Sequence, residues 1–110
     1  MMSMTQSELF TLLKTTLYPV SYHHFTTAPT PPYIVYLRAF DNNISSDYKV
    51  HGKFKFYQVE LYTIKKDLVA EQKLEAVLNS INSEYDVTET YIESEALYQV
   101  IYTIKITEKF

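Results

Sequence analysis

Apolar and polar positions along the chain change period several times, and each change marks an element. From Leu9 the apolar residues fall at Leu9, Leu12 and Leu13 and run on to Thr16-Leu17, a helical stripe that stops before Pro19. Thr5-Gln6-Ser7-Glu8 ahead of it has capping-box spacing, so a helix is predicted from there to about Leu17. Val20 to Phe25 reads as a short strand. The Thr- and Pro-rich break TTAPTPP follows, and Pro31-Pro32 forces an extended approach to YIVYLRAF, whose apolar residues lie on both faces as in an inner strand. Asp41 to Gly52, DNNISSDYKVHG, is a polar loop long enough to be functional. Alternation resumes from Lys53 to Ile64 as a third strand.

Asp67 is a good N-cap for a second helix, because Ala70, Leu74, Val77, Leu78 and Ile81 recur at i, i+4, i+7, i+8 and i+11. Leu13 and Leu78, each on the apolar stripe of its helix, are expected to face the sheet. Glu84 to Glu93 and Ala96 to Ile106 complete the chain as two strands joined tightly around Glu93-Ser94-Glu95, a hairpin without Asn-Gly. The order α-β-β-β-α-β-β predicts an α+β fold, one domain over residues 1–110, with a mostly antiparallel sheet and two helices packed on one face.

Composition sharpens this picture in one respect. Eleven Tyr and six Phe against no Trp and the single Gly52 favour strands over flexible turns. In the last strand Tyr98, Val100, Tyr102, Ile104 and Ile106 line one side, while Leu97, Gln99, Ile101, Thr103 and Lys105 line the other, so neither side is wholly polar. Tyr33, Tyr36, Tyr57, Tyr62, Tyr85 and Tyr91 extend the pattern. Tyrosine suits surfaces buried on one side and wet at the tip, so a self-association surface is expected in preference to ordinary solvent-exposed tyrosines.

Charge and cysteine usage narrow the function classes. A net charge of −3 gives no attraction to a phosphate backbone, which argues against a sequence-specific nucleic-acid binder. With no cysteine there are no disulfides, no thiolate nucleophile and no Cys-based zinc site, consistent with a reducing compartment. No stretch approaches the length of a membrane span, and MMSMTQSELF lacks the regions of a signal peptide, so no membrane partner is expected and the cytoplasm is the expected place of residence.

Candidate chemistry is sparse. Tyr22-His23-His24-Phe25 holds two adjacent histidines, but neighbours on a strand point to opposite faces, so one inward and one outward structural histidine is expected rather than a metal site. His51 is the remaining histidine, and no second ligand at helical spacing completes a tetrahedral set. Glu89, Glu93 and Glu95 read as a solvated turn rather than a paired-carboxylate site. One glycine cannot supply a phosphate loop or a nucleophile elbow, so neither cofactor nor catalysis is expected. Lys49, His51, Lys53 and Lys55, with Lys65 and Lys66 at the far end of the strand, form a basic cluster; Glu84, Asp86, Glu89, Glu93 and Glu95 form an acidic one. They read either as solvated strand edges or as complementary patches meeting head-to-tail between copies.

The strings YHHF, PPYIVY, VELYTIKKD and YIESEALYQVIYTIKI together resemble a small protein of siphophages and of prophages in Gram-positive bacteria, the tail terminator or tail-to-head joining family. The resemblance runs from the first helix to Ile106. It implies a structural, non-enzymatic subunit that forms a hexameric ring with copies of itself at the head-proximal end of the tail. The ring's partners are the major tail tube protein and a head connector or completion protein, DNA passes through it, and the mature location is the virion neck. No catalytic residues come with the family. The expected oligomer or tail-tube interface comprises Asp41, Asn42, Asn43, Asp47, Lys49, His51, Lys53, Lys55, Glu89, Glu93 and Glu95. The competing expectations are a neighbouring neck component or, from another class, a ligand-binding or enzymatic α+β domain with His23 or His24 at a pocket mouth.

Overall fold

A computed structural model describes residues 3–41, 54–81 and 84–108. Helix α1 (Gln6–Lys14) starts on the expected capping box: the Thr5 hydroxyl accepts from the Glu8 N–H at 3.1 Å and the Glu8 carboxylate accepts from the Thr5 N–H at 2.9 Å. It closes three residues before Leu17. The Thr15 and Thr16 hydroxyls donate back to the Leu12 and Leu13 carbonyls at 2.6 and 2.8 Å, competing with continued helix. The chain then leaves through Leu17, whose φ is 70° and whose side chain is 88% exposed, so Leu17 is not part of the buried stripe. Helix α2 (Leu68–Ser80) begins where predicted, with the Asp67 side chain accepting from the Ala70 N–H at 3.0 Å.

The strands are β1 (Ser3–Met4), β2 (Val20–Tyr22), β3 (Tyr33–Asp41), β4 (Phe54–Thr63), β5 (Tyr85–Ile92) and β6 (Leu97–Glu108), in a sheet ordered β1-β6-β4-β3-β2 with β5 also on β6. Apart from the two-residue β1, the order is the expected α-β-β-β-α-β-β. The β3–β4, β4–β6 and β5–β6 pairs are antiparallel, and the short outer strands β1 and β2 run parallel to their neighbours. The inner-strand reading of YIVYLRAF holds, since β3 lies between β4 and β2. A four-residue turn, Glu93 to Ala96, joins β5 to β6, with Ala96 taking the positive φ of 54° that Asn-Gly would otherwise supply.

Both helices cover the same face. Ile34 and Tyr36 of β3, Tyr57, Val59 and Leu61 of β4, and Val100, Tyr102, Ile104 and Ile106 of β6 meet Leu9 and Leu13 of α1 and Ala70, Leu74, Leu78 and Ile81 beside them. Leu13 and Leu78 are fully buried, as expected. Three tyrosines expected at a wet surface belong to this core. Tyr36 stacks on Phe10 with ring centroids 6.1 Å apart, Tyr57 donates to the Gln6 side-chain amide oxygen at 3.4 Å, and Tyr102 donates to the Glu75 carboxylate at 2.7 Å. Each tyrosine buries its ring and keeps a polar partner for its hydroxyl or an aromatic neighbour for its face. Burial and the neighbouring Glu75 carboxylate push the Tyr102 hydroxyl well above its ordinary range.

Candidate functional site

The histidine pair is the first place where the structure corrects the sequence reading. Strand β2 stops at Tyr22, so neither His23 nor His24 is a strand residue and neither points inward. The His24 N–H donates to the Tyr22 carbonyl at 2.8 Å across His23, whose φ is 69°; this is the γ-turn of positive φ, the rarer and more strained hand. The turn sets both exposed rings side by side, 5.6 Å between centroids and nearly perpendicular. With Phe25, Ala28, Tyr33, Val35, Tyr62 and Glu95 they line a shallow, open cleft of about 190 Å³, below the roughly 300–1,000 Å³ of ordinary ligand pockets. Among the described residues no group of three His, Cys, Asp or Glu side chains stands where it could hold a metal ion.

This cleft lies on the sheet face that the helices leave open. Tyr33 and Tyr62, opposite each other on β3 and β4, stack at 5.0 Å, and Phe25 meets Tyr33 edge-on at 5.4 Å. The segment after β2 therefore folds over the start of β3 and buries Tyr33 and Val35. Beyond it the face is mixed and half-buried: Gln58, Glu60 and Tyr62 of β4 against Thr103, Ile101 and Gln99 of β6. Tyr62 donates to the Glu60 carboxylate at 2.9 Å and accepts from the Gln99 amide at 2.8 Å. Burial first, then Glu60, raises its hydroxyl above the ordinary tyrosine range.

The sheet's two long-side edges are unlike. Strand β2 offers three residues, bounded by Pro19 and by the turn at His23. Strand β5 offers eight in an unbroken register with β6, and residues 86–91 are exposed. Its helix-side residues are Tyr85, Val87, Glu89 and Tyr91. Val87 and Tyr91 stand 48% and 47% exposed. Helix α2 instead presents a polar flank: Asn79 accepts from the Tyr85 hydroxyl at 3.4 Å, Glu75 holds Tyr102, and Glu71 pairs with Lys66 at 2.8 Å. Lys66 also pairs with Glu89. Its hydrogen bonds to Glu71 and Glu89 raise the ammonium's pKa. One end of the basic cluster thus meets the acidic strand within a single chain.

The expected interface residues separate as follows. Glu89 is on this edge, and Glu93 and Glu95 are exposed on the β5–β6 turn, Glu95 at the cleft. Lys55 is 5% exposed on the helix-covered side of β4, beneath the surface it was expected to occupy. Asp41 ends β3, while Asn42, Asn43, Asp47, Lys49, His51 and Lys53 lie outside the described residues.

Sequence reasoning missed the chain's apolar end. The exit of α1, the start of β3, the β4–α2 connection and the β5–β6 turn all fall at one end of the sheet, as the strand registers require. Five of the seven large apolar side chains exposed among the described residues are there: Leu17, Ile64, Leu68, Val69 and Tyr91. They come from three separate stretches, so no local periodicity joins them, and only the exposed-side positions of Leu68 and Val69 on α2 were legible as off-stripe.

The chain matches no protein-family model, and no curated protein matches it. No helix among the described residues is long and apolar enough to cross a membrane.

Proposed function

We propose that this chain is a structural ring subunit of a phage tail, seated at the head-proximal end of the tube, where it ends polymerisation and presents a surface to the head connector. The observation that carries the reading is the apolar end formed by Leu17, Ile64, Leu68, Val69 and Tyr91. Five large apolar side chains exposed along one end of the sheet, from three stretches of the chain, favour an end that assembly covers. Strand β3 ends and β4 begins at the opposite end of the sheet, and the sequence between them is polar, so the two ends differ in the chain they offer to partners. That suits a component placed between two unlike partners: the polar end toward the tail tube protein, the apolar end toward the connector.

The resemblance in YHHF, PPYIVY, VELYTIKKD and YIESEALYQVIYTIKI supports the same reading from the sequence side. The role asks for no catalysis and no cofactor; the work is done by contact area and charge. The test is location. Antibody or gold label against the protein, viewed on intact virions, is expected at the junction of tail and head; label along the tube, at the distal tip or inside the head contradicts the proposal.

A further inference from the structure

The cleft beside the paired imidazoles is walled by rings set across one another. Phe25 stands at 82° to Tyr33, and His24 at 87° to His23. Tyr33 stacks on Tyr62, whose hydroxyl is engaged by Glu60 and Gln99, so both tyrosine rings are held in place. One carboxylate, that of Glu95, reaches the same cleft from the β5–β6 turn. It is exposed, and among the described residues no hydrogen bond or ion pair engages its side chain. Its charge acts on the cleft all the same: burial first, then Glu95, raises the Tyr33 hydroxyl above its ordinary value. An unpaired carboxylate beside aromatic rings is a setting that attracts a cation, since the negative face of a π-system and the carboxylate pull the same way.

Size and place choose among cations. A volume of about 190 Å³, open to solvent, is too little to enclose a free small molecule, so the occupant is delivered on a larger surface. The cleft lies at the apolar end: Ile64, two residues beyond Tyr62, is 59% exposed, and a protein that covers this end reaches both. A planar guanidinium stacks on a ring and forks onto a carboxylate, which a strongly hydrated ammonium does less well. We infer that this cleft receives an arginine side chain of the partner protein that covers the apolar end. Arg38, the chain's only arginine, lies beyond the middle of β3 from this end, so the donor is a different protein. Arginine seated in a small pocket is also a side chain type on which interface affinity concentrates. This contact rests on the reading of the apolar end as an assembly surface, and gives that surface its chemical choice of partner.

Nuclear magnetic resonance on the full-length, isotope-labelled protein tests it. The protein is titrated with Nα-acetyl-arginine amide and, at matched ionic strength, with Nα-acetyl-citrulline amide, whose neutral urea keeps the guanidinium's shape. Amide resonances of His23, His24, Phe25, Glu95 and Ala96 are expected to shift and saturate with the arginine probe. Its Kd is expected to lie at least about tenfold below that of the citrulline probe, a preference of about 1.4 kcal/mol. Glu95→Gln, at an exposed turn position, is expected to weaken the arginine probe at least about threefold, while Glu93→Gln on the same turn binds like the parent. Phe25→Leu is expected to weaken it similarly through the lost ring; if that variant unfolds, the two glutamate variants decide. Equal affinity for the two probes, shifts that do not saturate, or equal losses in Glu93→Gln and Glu95→Gln overturn the inference. If the same resonances move when protein concentration alone is raised, a second copy fills the cleft and the assignment to a different protein is overturned. The titration reads the isolated chain, so its failure leaves the virion location standing, and label found elsewhere on the virion leaves the arginine site standing.

Discussion

Replacing Leu17 by Gly is expected to stabilise the isolated protein and weaken its assembly. Leu17 has φ of 70° and is 88% exposed, so its side chain contributes little burial while its backbone sits in the left-handed region. A non-glycine residue there costs about 1–2 kcal/mol. Glycine relieves that cost and gives back about 0.4–1 kcal/mol through its freer unfolded chain. The net is about 0.5–1 kcal/mol of added stability, or a rise in Tm of about 2–6 °C for a domain near 100 residues. Thermal melts by circular dichroism, with urea melts at 25 °C, measure it. Leu17→Ala is the control, since alanine keeps the Cβ penalty and loses the exposed side chain; it is expected to melt with the parent. If Leu17→Gly melts at or below the parent, or if Leu17→Ala gains as much as Leu17→Gly, the backbone-cost argument is wrong. A leucine that carries this backbone cost with its side chain exposed points to a use for the side chain outside the single chain, which is the role given to the apolar end in the proposed assembly.

Leu13→Ala and Leu78→Ala, both fully buried, should each cost about 2–5 kcal/mol in urea melts; a change within experimental error in both would refute the assigned helix faces. Glu89→Gln should cost under about 1 kcal/mol, because Lys66 and Glu89 are each more than two-fifths exposed and solvent screens the pair; a loss of several kcal/mol would show the pair to be far better sheltered than its exposure indicates. Stability should fall as pH rises above 10. Burial raises the hydroxyls of Tyr33, Tyr36, Tyr62, Tyr85 and Tyr102 above the ordinary 10.0. The unfolded chain therefore loses those protons first, and the stabilisation present below pH 10 disappears toward the folded-state values. Urea midpoints followed with tyrosinate absorbance check this, and flat stability from pH 9 to 11.5 would contradict it.

Elements with a strong period were legible in the chain. The Thr5 capping box, the Asp67 cap, the stripe from Ala70 to Ile81 and the alternation around Val100 and Tyr102 each repeat a local rule that the fold then obeys. What escaped depended on exceptions to those rules. Thr15 and Thr16 end α1 early through side-chain bonds that the apolar stripe does not reveal. His23 was assigned a strand direction, yet its positive φ turns the chain and puts the two imidazoles together. Tyr36, Tyr57 and Tyr102 looked amphipathic by residue type, but the strand register places them under the helices. Lys55 belongs by sequence to the basic cluster with Lys49, His51 and Lys53, but the alternation of β4 puts it on the buried side. The apolar end was the least visible feature, because Leu17, the stretch from Ile64 to Val69, and Tyr91 share an end only once the registers bring three connections there.

Removing the gene from the phage tests the central claim most directly. Lysates of the deletion, examined by electron microscopy for tail length and head attachment, are expected to contain tails of uncontrolled length or tails without heads, with both defects reversed when the protein is supplied in trans. Tails of normal length that lack heads would move the assignment to a joining or completion protein. Tails of normal length joined to heads in the deletion would contradict the account.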